Sequence, residues 1–296
     1  MVKIFDLFKF KKGLKGINKS ELDKEILENK TFGLNTKFRE RKLIVSLTSF
    51  PERMYDIHYC IYSLLSQSLK PDEVILWLAS EQFPNGEKDI PENVLKLKDK
   101  GLTIKWCENL YSYKKLIPAY REFKNAILIT TDDDIFYPPK WLETLYKSYL
   151  THPNAVICHR AHRIKLDKGK KILPYKQWKK KISGPNLSYL NFFTGAGGVL
   201  YPPNSLNQNI DDIKQFTMLA PHGDDIWFWA MALLNNTKIY VAKNNIKSLT
   251  YINPERERGN TGEFTLFTQN KQGGNDKQLK QVLEAYPELY ERIYRK

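Results

Sequence analysis

Three consecutive aspartates, Asp132-Asp133-Asp134, close the apolar run Ala126-Ile127-Leu128-Ile129-Thr130-Thr131. Carboxylates crowded at one point repel each other unless a cation or hydrogen-bond donors hold them. Stability alone gives a chain little reason to place them there. Hard divalent ions such as Mg²⁺ or Mn²⁺ take oxygen ligands, commonly one or two carboxylates plus substrate phosphates. A metal–diphosphate site is therefore the chemistry this stretch suits, with an acidic loop or helix cap as the plainer alternative. A second acidic pair, Asp224-Asp225, follows His222-Gly223 and opens an apolar run over 226–234. Capping and the helix dipole explain an aspartate at a helix start, but two in a row beside Gly and His exceed what a cap needs. Between the two clusters, Thr194-Gly195-Ala196-Gly197-Gly198 holds three glycines in four residues. Such a segment allows close backbone approach or positive φ, or simply turns the chain into a strand; the phosphate fingerprint GxGxxG is not present.

These residues need elements to hold them. Apolar, β-branched runs predict strands at 43–48, 74–78, 102–106, 126–131, 155–163 and 238–241. Helical patterns lie at 57–68, 93–99, 113–123, 140–150 and 276–294, and another opens at the Asp224-Asp225 pair. Pro138-Pro139 stops the strand that carries the aspartates. Strands alternating with helices imply βαβ units and a mostly parallel α/β sheet, whose ligands bind beyond the carboxyl ends of its strands. There is no internal repeat. The expected organisation is a basic arm (1–40), a catalytic unit (41–245, with halves 41–150 and 151–245) and a C-terminal extension (246–296).

Composition sets looser bounds. The 296 residues carry 47 Lys plus Arg against 33 Asp plus Glu, a net charge of +14 that favours anionic partners. Much of that lysine simply solvates a surface. Residues 165–181 concentrate Lys165, Lys168, Lys170, Lys171, Lys176, Lys179, Lys180 and Lys181 around Tyr175 and Trp178. This run reads as a solvated loop or as an excursion over an anionic glycan or nucleotide. Base stacking with lysines on phosphates is the remaining alternative, but no nucleic-acid fold motif accompanies it and nucleic acid is not expected. No stretch approaches the roughly 20 apolar residues of a membrane span. The start mixes Phe and Lys too finely for a secretory signal, with no small-residue cleavage site. Phe5, Leu7 and Phe8 could share an apolar helix face suited to an anionic membrane surface, or belong to a packed or disordered arm. Cys60, Cys107 and Cys158 lack CxxC spacing, so neither a disulfide framework nor a zinc site is expected. A cytoplasmic location, with peripheral contact at the inner membrane through the arm, is the simplest expectation.

Taken together, the segments resemble GT-A fold glycosyltransferases, particularly bacterial capsule and lipo-oligosaccharide enzymes allied to glycosyltransferase family 2. The resemblance covers roughly 40–245. It is carried by Ile44-Val45-Ser46-Leu47-Thr48-Ser49-Phe50-Pro51-Glu52-Arg53, Tyr113-Lys114-Lys115-Leu116, the aspartate run, the glycine segment and Asp224-Asp225. It implies a Rossmann-like sheet and transfer of a sugar from a nucleotide-sugar donor, most commonly UDP-linked, to a hydroxyl of a surface glycan, with Mn²⁺ or Mg²⁺. By the same resemblance Thr48, Ser49 and Arg53 line the nucleoside, with Glu81 a weaker candidate. Lys115 approaches the donor's phosphates or sugar. Asp132 faces the ribose or the metal, Asp134 ligates the metal, and Asp133 contacts the sugar or is solvated. Gly195, Gly197 and Gly198 form the acceptor-side loop, and Asp225, beside Asp224, is the general base of inverting relatives.

The chemistry stands independently: a cation stabilises the departing diphosphate while a carboxylate takes the acceptor's proton. Packing of Asp225 against Trp227 and Trp229 is the expected means of raising its pKa. Many relatives add a late histidine to the metal, whereas no histidine follows His222. Either His222 helps or diphosphate and water complete the shell, and an ordinary helix-start role is the simpler reading. Cys158, His159 and His162 read as packing or surface residues, Tyr113 and Trp141 as core or pocket wall. Two other readings remain. A sugar nucleotidyltransferase should have a glycine-rich loop after its first strand, and 48–53 has no glycine. A non-catalytic basic protein that binds glycans or nucleic acid leaves both acidic clusters unexplained.

Overall fold

The structure, a computed structural model, describes residues 8–9, 14–257 and 273–295. In chain order its strands are β1 (Phe8–Lys9), β2 (Lys15–Ile17), β3 (Leu43–Thr48), β4 (Glu73–Ala79), β5 (Leu102–Cys107), β6 (Ile127–Thr130), β7 (Val156–Cys158), β8 (Ala161–Arg163), β9 (Asn186–Ser188), β10 (Asn191–Phe193), β11 (Val199–Tyr201), β12 (Ile239–Val241) and β13 (Thr250–Tyr251). Eight of them form one sheet in the order β5-β4-β3-β6-β11-β7-β12-β9. The β5-β4-β3-β6 half is wholly parallel, as the alternation of strands and helices requires. β11 runs antiparallel between β6 and β7, and β12 returns parallel to β7.

β3 shows why the sheet is buried on both sides. Leu43, Val45 and Leu47 point into one core, which holds the helices Ile57–Leu65 and Trp141–Thr151. Ile44 points into the other core, around the helix Asp224–Leu234. Successive side chains alternate faces, so a near-continuous apolar strand feeds two layers. The helix Asp224–Leu234 is buried nearly all round, from Ile226 to Leu233, as expected of an apolar helix inside a core.

Some expected elements divide. The 155–163 strand breaks at His159-Arg160, with β7 in the main sheet and β8 pairing antiparallel with β10. His159 explains the break. Its buried Nδ1 accepts the Ile246 N–H at 3.1 Å and its Nε2 lies 3.0 Å from the Trp141 carbonyl, which assigns the proton to Nε2. The 113–123 helix is a 3₁₀ turn, Tyr111–Lys115, followed by the helix Ile117–Glu122 with Pro118 in its first turn. The 276–294 helix is two, Asn275–Ala285 and Glu288–Tyr294, because Pro287 interrupts it. Phe8 lies in β1, which pairs with β2, rather than on a helix face; Phe5 and Leu7 lie outside the described residues. Among the described residues no helix is long and apolar enough to cross a membrane.

Gly198 is the tightest joint of this frame. Its φ is +88°, and a Cβ there would sit 2.4 Å from Cζ2 of Trp141, whose indole N–H donates to the Gly197 carbonyl at 2.9 Å. Gly198→Ala should therefore cost about 2–4 kcal/mol, the sum of left-handed strain and overpacking. Urea unfolding measures it, and a loss below about 1 kcal/mol would mean that Trp141 yields.

Candidate active site

Strand register decides what meets at the carboxyl edge of the sheet. β3 and β6 run parallel with Ser46 opposite Thr130, so Thr48 and the residues after it leave level with Asp132. β11 runs antiparallel with Val199 opposite Thr130, which brings the turn Gly195–Gly197 to the same edge. Val199 also lies opposite Cys158, so the chain leaving β7 at His159-Arg160 emerges there too. Segments far apart in sequence thus converge where an α/β sheet binds ligands.

Lys115 joins the two acidic clusters. Its Nζ lies 2.8 Å from Asp132 Oδ1 and 2.7 Å from Asp224 Oδ2, with the side chain only 6 % exposed. Burial alone would push this amine's pKa down, but Asp132, Asp224 and Asp225 hold it well above its ordinary value. The 3₁₀ turn is anchored where Ser46 Oγ donates to the Lys115 carbonyl at 2.7 Å. Asp132 is raised, by burial first, with Lys115 opposing and the nearby Asp134 and Asp224 adding.

Asp225 accepts the Gly195 N–H with both oxygens at 3.0 Å. Burial, and then the adjacent charge of Asp224, push its carboxyl up to about 7 against the pull of Lys115. The indoles of Trp227 and Trp229 are committed to the core instead, donating to the Ile210 and Asn191 carbonyls. Gly195 is required by space: a Cβ would lie 2.7 Å from both Asp225 Oδ1 and Lys115 Nζ. Tyr137 ties the two turns together, its hydroxyl accepting the Asp132 N–H at 3.0 Å and donating to the Ala196 carbonyl at 3.2 Å.

A second basic node holds the rest of the aspartate run. Arg53 Nη1 donates to Asp133 Oδ1 at 2.8 Å and to Asp134 Oδ2 at 2.9 Å, and Ser49 Oγ donates to Asp133 Oδ2 at 2.5 Å. Asp133 is accordingly buried and paired rather than solvated. Burial pushes Asp134 up, but Arg53 outweighs it and the carboxyl is held below its ordinary range. Thr48 turns its hydroxyl to the Trp77 carbonyl at 2.8 Å, a bond within the sheet. Glu81 accepts the Asn109 N–H, and His222 is exposed on the surface.

Glu257 was invisible to motif reading because it lies beyond the segment that resembles the family. The chain after β13 returns to the acidic turn, with Ile252 N–H donating to the Asp134 carbonyl at 2.9 Å. Glu257 lies 3.7 Å from Arg53 Nη2, and burial and then Asp134 push its carboxyl up to about 7. The neighbouring Arg256 is buried against Asp56 and Tyr55. Asp134 Oδ1 is buried and accepts no hydrogen bond from the described residues. Among the described residues no three His, Cys, Asp or Glu side chains surround one point as a finished metal cage. Tyr113 is core, stacked on Phe216 with its hydroxyl on the Ala220 carbonyl. Trp178 is also buried, which removes it from any base-stacking surface. A cavity of about 190 Å³ lies behind the acidic turn, lined by the apolar segment 135–139 and by Leu249 and Thr250. It holds none of the five aspartates.

The family model described as glycosyl transferase family 2 matches residues 55–206, just over half the chain. No curated protein matches the sequence. Among solved structures the chain is similar to S. aureus TarS 1–349, with 14 % identity, 83 % of this chain and 73 % of that chain covered, and a TM-score of 0.47. It is also similar to a CMP:2-keto-3-deoxy-manno-octonic acid synthetase complexed with CTP, with 13 % identity, 78 % and 100 % covered, and a TM-score of 0.42. Both likenesses are remote, and the assignment rests on the family match, which spans the acidic turn and the glycine turn alike. The chain belongs to glycosyl transferase family 2 and is a glycosyltransferase of the GT-A type.

Proposed function

We propose that this glycosyltransferase moves a sugar from a nucleotide-sugar donor, UDP-linked by preference, to a hydroxyl of a surface glycan, with divalent-metal assistance and inversion at the anomeric carbon. One observation carries the reading: Lys115 spans Asp132 and Asp224, so the two acidic clusters stand a single ammonium apart. That spacing suits a donor diphosphate at one cluster and an acceptor hydroxyl at the other. The three cysteines are free, in keeping with a reducing compartment.

Asp134 and Glu257 fit a hard divalent cation. Both are oxygen donors, one oxygen of Asp134 is buried with no donor among the described residues, and the Asp134 charge raises Glu257. When bound there, such an ion would act as a Lewis acid toward the leaving diphosphate. Arg53 holds Asp133 and Asp134 in place, and Lys115 supplies a fixed positive charge on the phosphate side. Asp225, kept on the Gly195 N–H, takes the proton of the acceptor hydroxyl as that oxygen attacks the anomeric carbon. Its raised pKa makes it a stronger base than an ordinary aspartate while leaving it ionised above neutrality.

A thermal-shift panel of nucleotide sugars with and without Mn²⁺ tests the donor class, because a ligand of the folded form raises its stability. One donor should stabilise the chain in a metal-dependent way, with nucleoside diphosphate released on turnover. Release of pyrophosphate from a nucleoside triphosphate and a sugar phosphate would instead make the protein a nucleotidyltransferase. Asp225→Asn should lower kcat by about 10²–10⁴-fold while leaving donor binding nearly intact; unchanged turnover removes the base assignment. Because the base works only when deprotonated, log(kcat/KM) at saturating metal should rise with pH below about 7 and level above it. A profile flat from pH 5 to 8 would contradict that role for Asp225.

A further inference from the structure

The mechanism leaves Arg160 and the basic stretch behind it unused. Arg160 leaves β7 at the same sheet edge as the aspartates and packs against the glycine turn, where a Cβ on Gly197 would meet Arg160 Cβ at 2.6 Å. Its Nη1 donates to Thr194 Oγ1 at 2.6 Å, and its buried Nε donates to no described residue. Lys180 Nζ lies 3.1 Å from the centroid of the Tyr175 ring. Among the described residues neither cation forms an ion pair with a carboxylate. The acid whose charge reaches Lys180 is Asp276, and its Oδ1 already accepts the Tyr175 N–H at 2.7 Å.

Ile182 N–H donates to the Ala161 carbonyl at 2.9 Å and Lys181 N–H to His162 Nδ1 at 3.0 Å, which lays segment 180–182 alongside 160–162, and the two cations feel each other. Partial burial and then Arg160 lower the Lys180 amine to about 8. His162, beside them, stays neutral, held down to about 3 by burial and by the same two charges. Asp276 is the counter-charge at Lys180 but is shared with the Tyr175 N–H, so crowding these like charges still costs the free protein stability, and an arriving anion would offset that cost. The position says which substrate brings the anion. Arg160 holds Thr194, the residue before the Gly195 whose N–H Asp225 accepts, so the cluster borders the base, and Tyr175 under Lys180 lies within the field of both Asp225 and Arg160.

We propose that Arg160 and Lys180, with Tyr175 beneath, form a subsite for an anionic group, phosphate or carboxylate, carried by the acceptor glycan close to the hydroxyl that reacts. This rests on the reading of Asp225 as the base. The donor's diphosphate is the other source of the same chemistry, since Arg160 also acts on Tyr251 beside Asp134.

Isothermal titration of the full chain saturated with UDP and Mn²⁺ separates the two sources. The probe is glycerol 3-phosphate, with glycerol as the neutral control. The phosphate should bind and glycerol should not, and Arg160→Gln should weaken the phosphate about tenfold, as expected for one charge-assisted hydrogen bond. Lys180→Gln, at an exposed position where folding is not at stake, should weaken it severalfold. Affinity for UDP should be unchanged in both variants. No binding of the phosphate, or equal binding by both variants, overturns the proposal. Loss of UDP affinity in Arg160→Gln also overturns it, by giving the guanidinium to the donor. Should UDP fail to bind while glycerol 3-phosphate still binds through these residues, the subsite stands and the donor assignment falls.

Discussion

The site depends on a buried ammonium. Lys115 is almost wholly withdrawn from water, and taking such a charge out of solvent costs several kcal/mol. Two carboxylates at 2.7–2.8 Å offset that cost. The geometry has to be good for the balance to close, because removing one partner of a buried pair leaves an uncompensated charge worth about 3–5 kcal/mol. Lys115 therefore holds the second acidic pair against the first more firmly than a surface lysine would. It also explains the glycine at 195, where any side chain would enter the space the ammonium and Asp225 share.

Around this node the acids are sorted by their partners. Asp133 and Asp134 face Arg53 and Ser49, Asp132 and Asp224 face Lys115, and Asp225 is left with a backbone N–H and a rising pKa. Pairs of carboxylates whose surroundings push their pKa values apart are the usual arrangement for dividing ionic and proton-transfer roles. Here the division follows from which cation each acid can reach. Glu257 extends the same logic, since a carboxylate pressed against Asp134 and paired only at 3.5–3.7 Å with Arg256 and Arg53 suits a shared positive charge.

Three local interactions lay beyond the reach of sequence pattern. A single strand over 155–163 is the natural reading of its apolar residues, yet His159 needs both ring nitrogens satisfied inside the core and turns the chain to satisfy them. Asp225 is raised by burial first, with the neighbouring charge of Asp224 adding to it, while the indoles of Trp227 and Trp229 serve backbone carbonyls in the core. Thr48, which the resemblance places against the nucleoside, ends β3, and in the free protein its hydroxyl closes onto β4.

From the residues alone one could read the α/β alternation, the order of the parallel strands' helices, both acidic clusters, the glycine turn and the basic residues near them, because each is a local pattern of hydrophobicity, charge or backbone freedom. Tertiary structure decided the pairings: which cation meets which aspartate, that Arg160 emerges beside the glycine turn, and that Glu257 returns to Asp134 from beyond the family segment. The reason is physical. Pattern reports what a segment prefers, whereas a pairing between residues such as Lys115 and Asp224 depends on strand register and on which buried charges find partners once the layers pack.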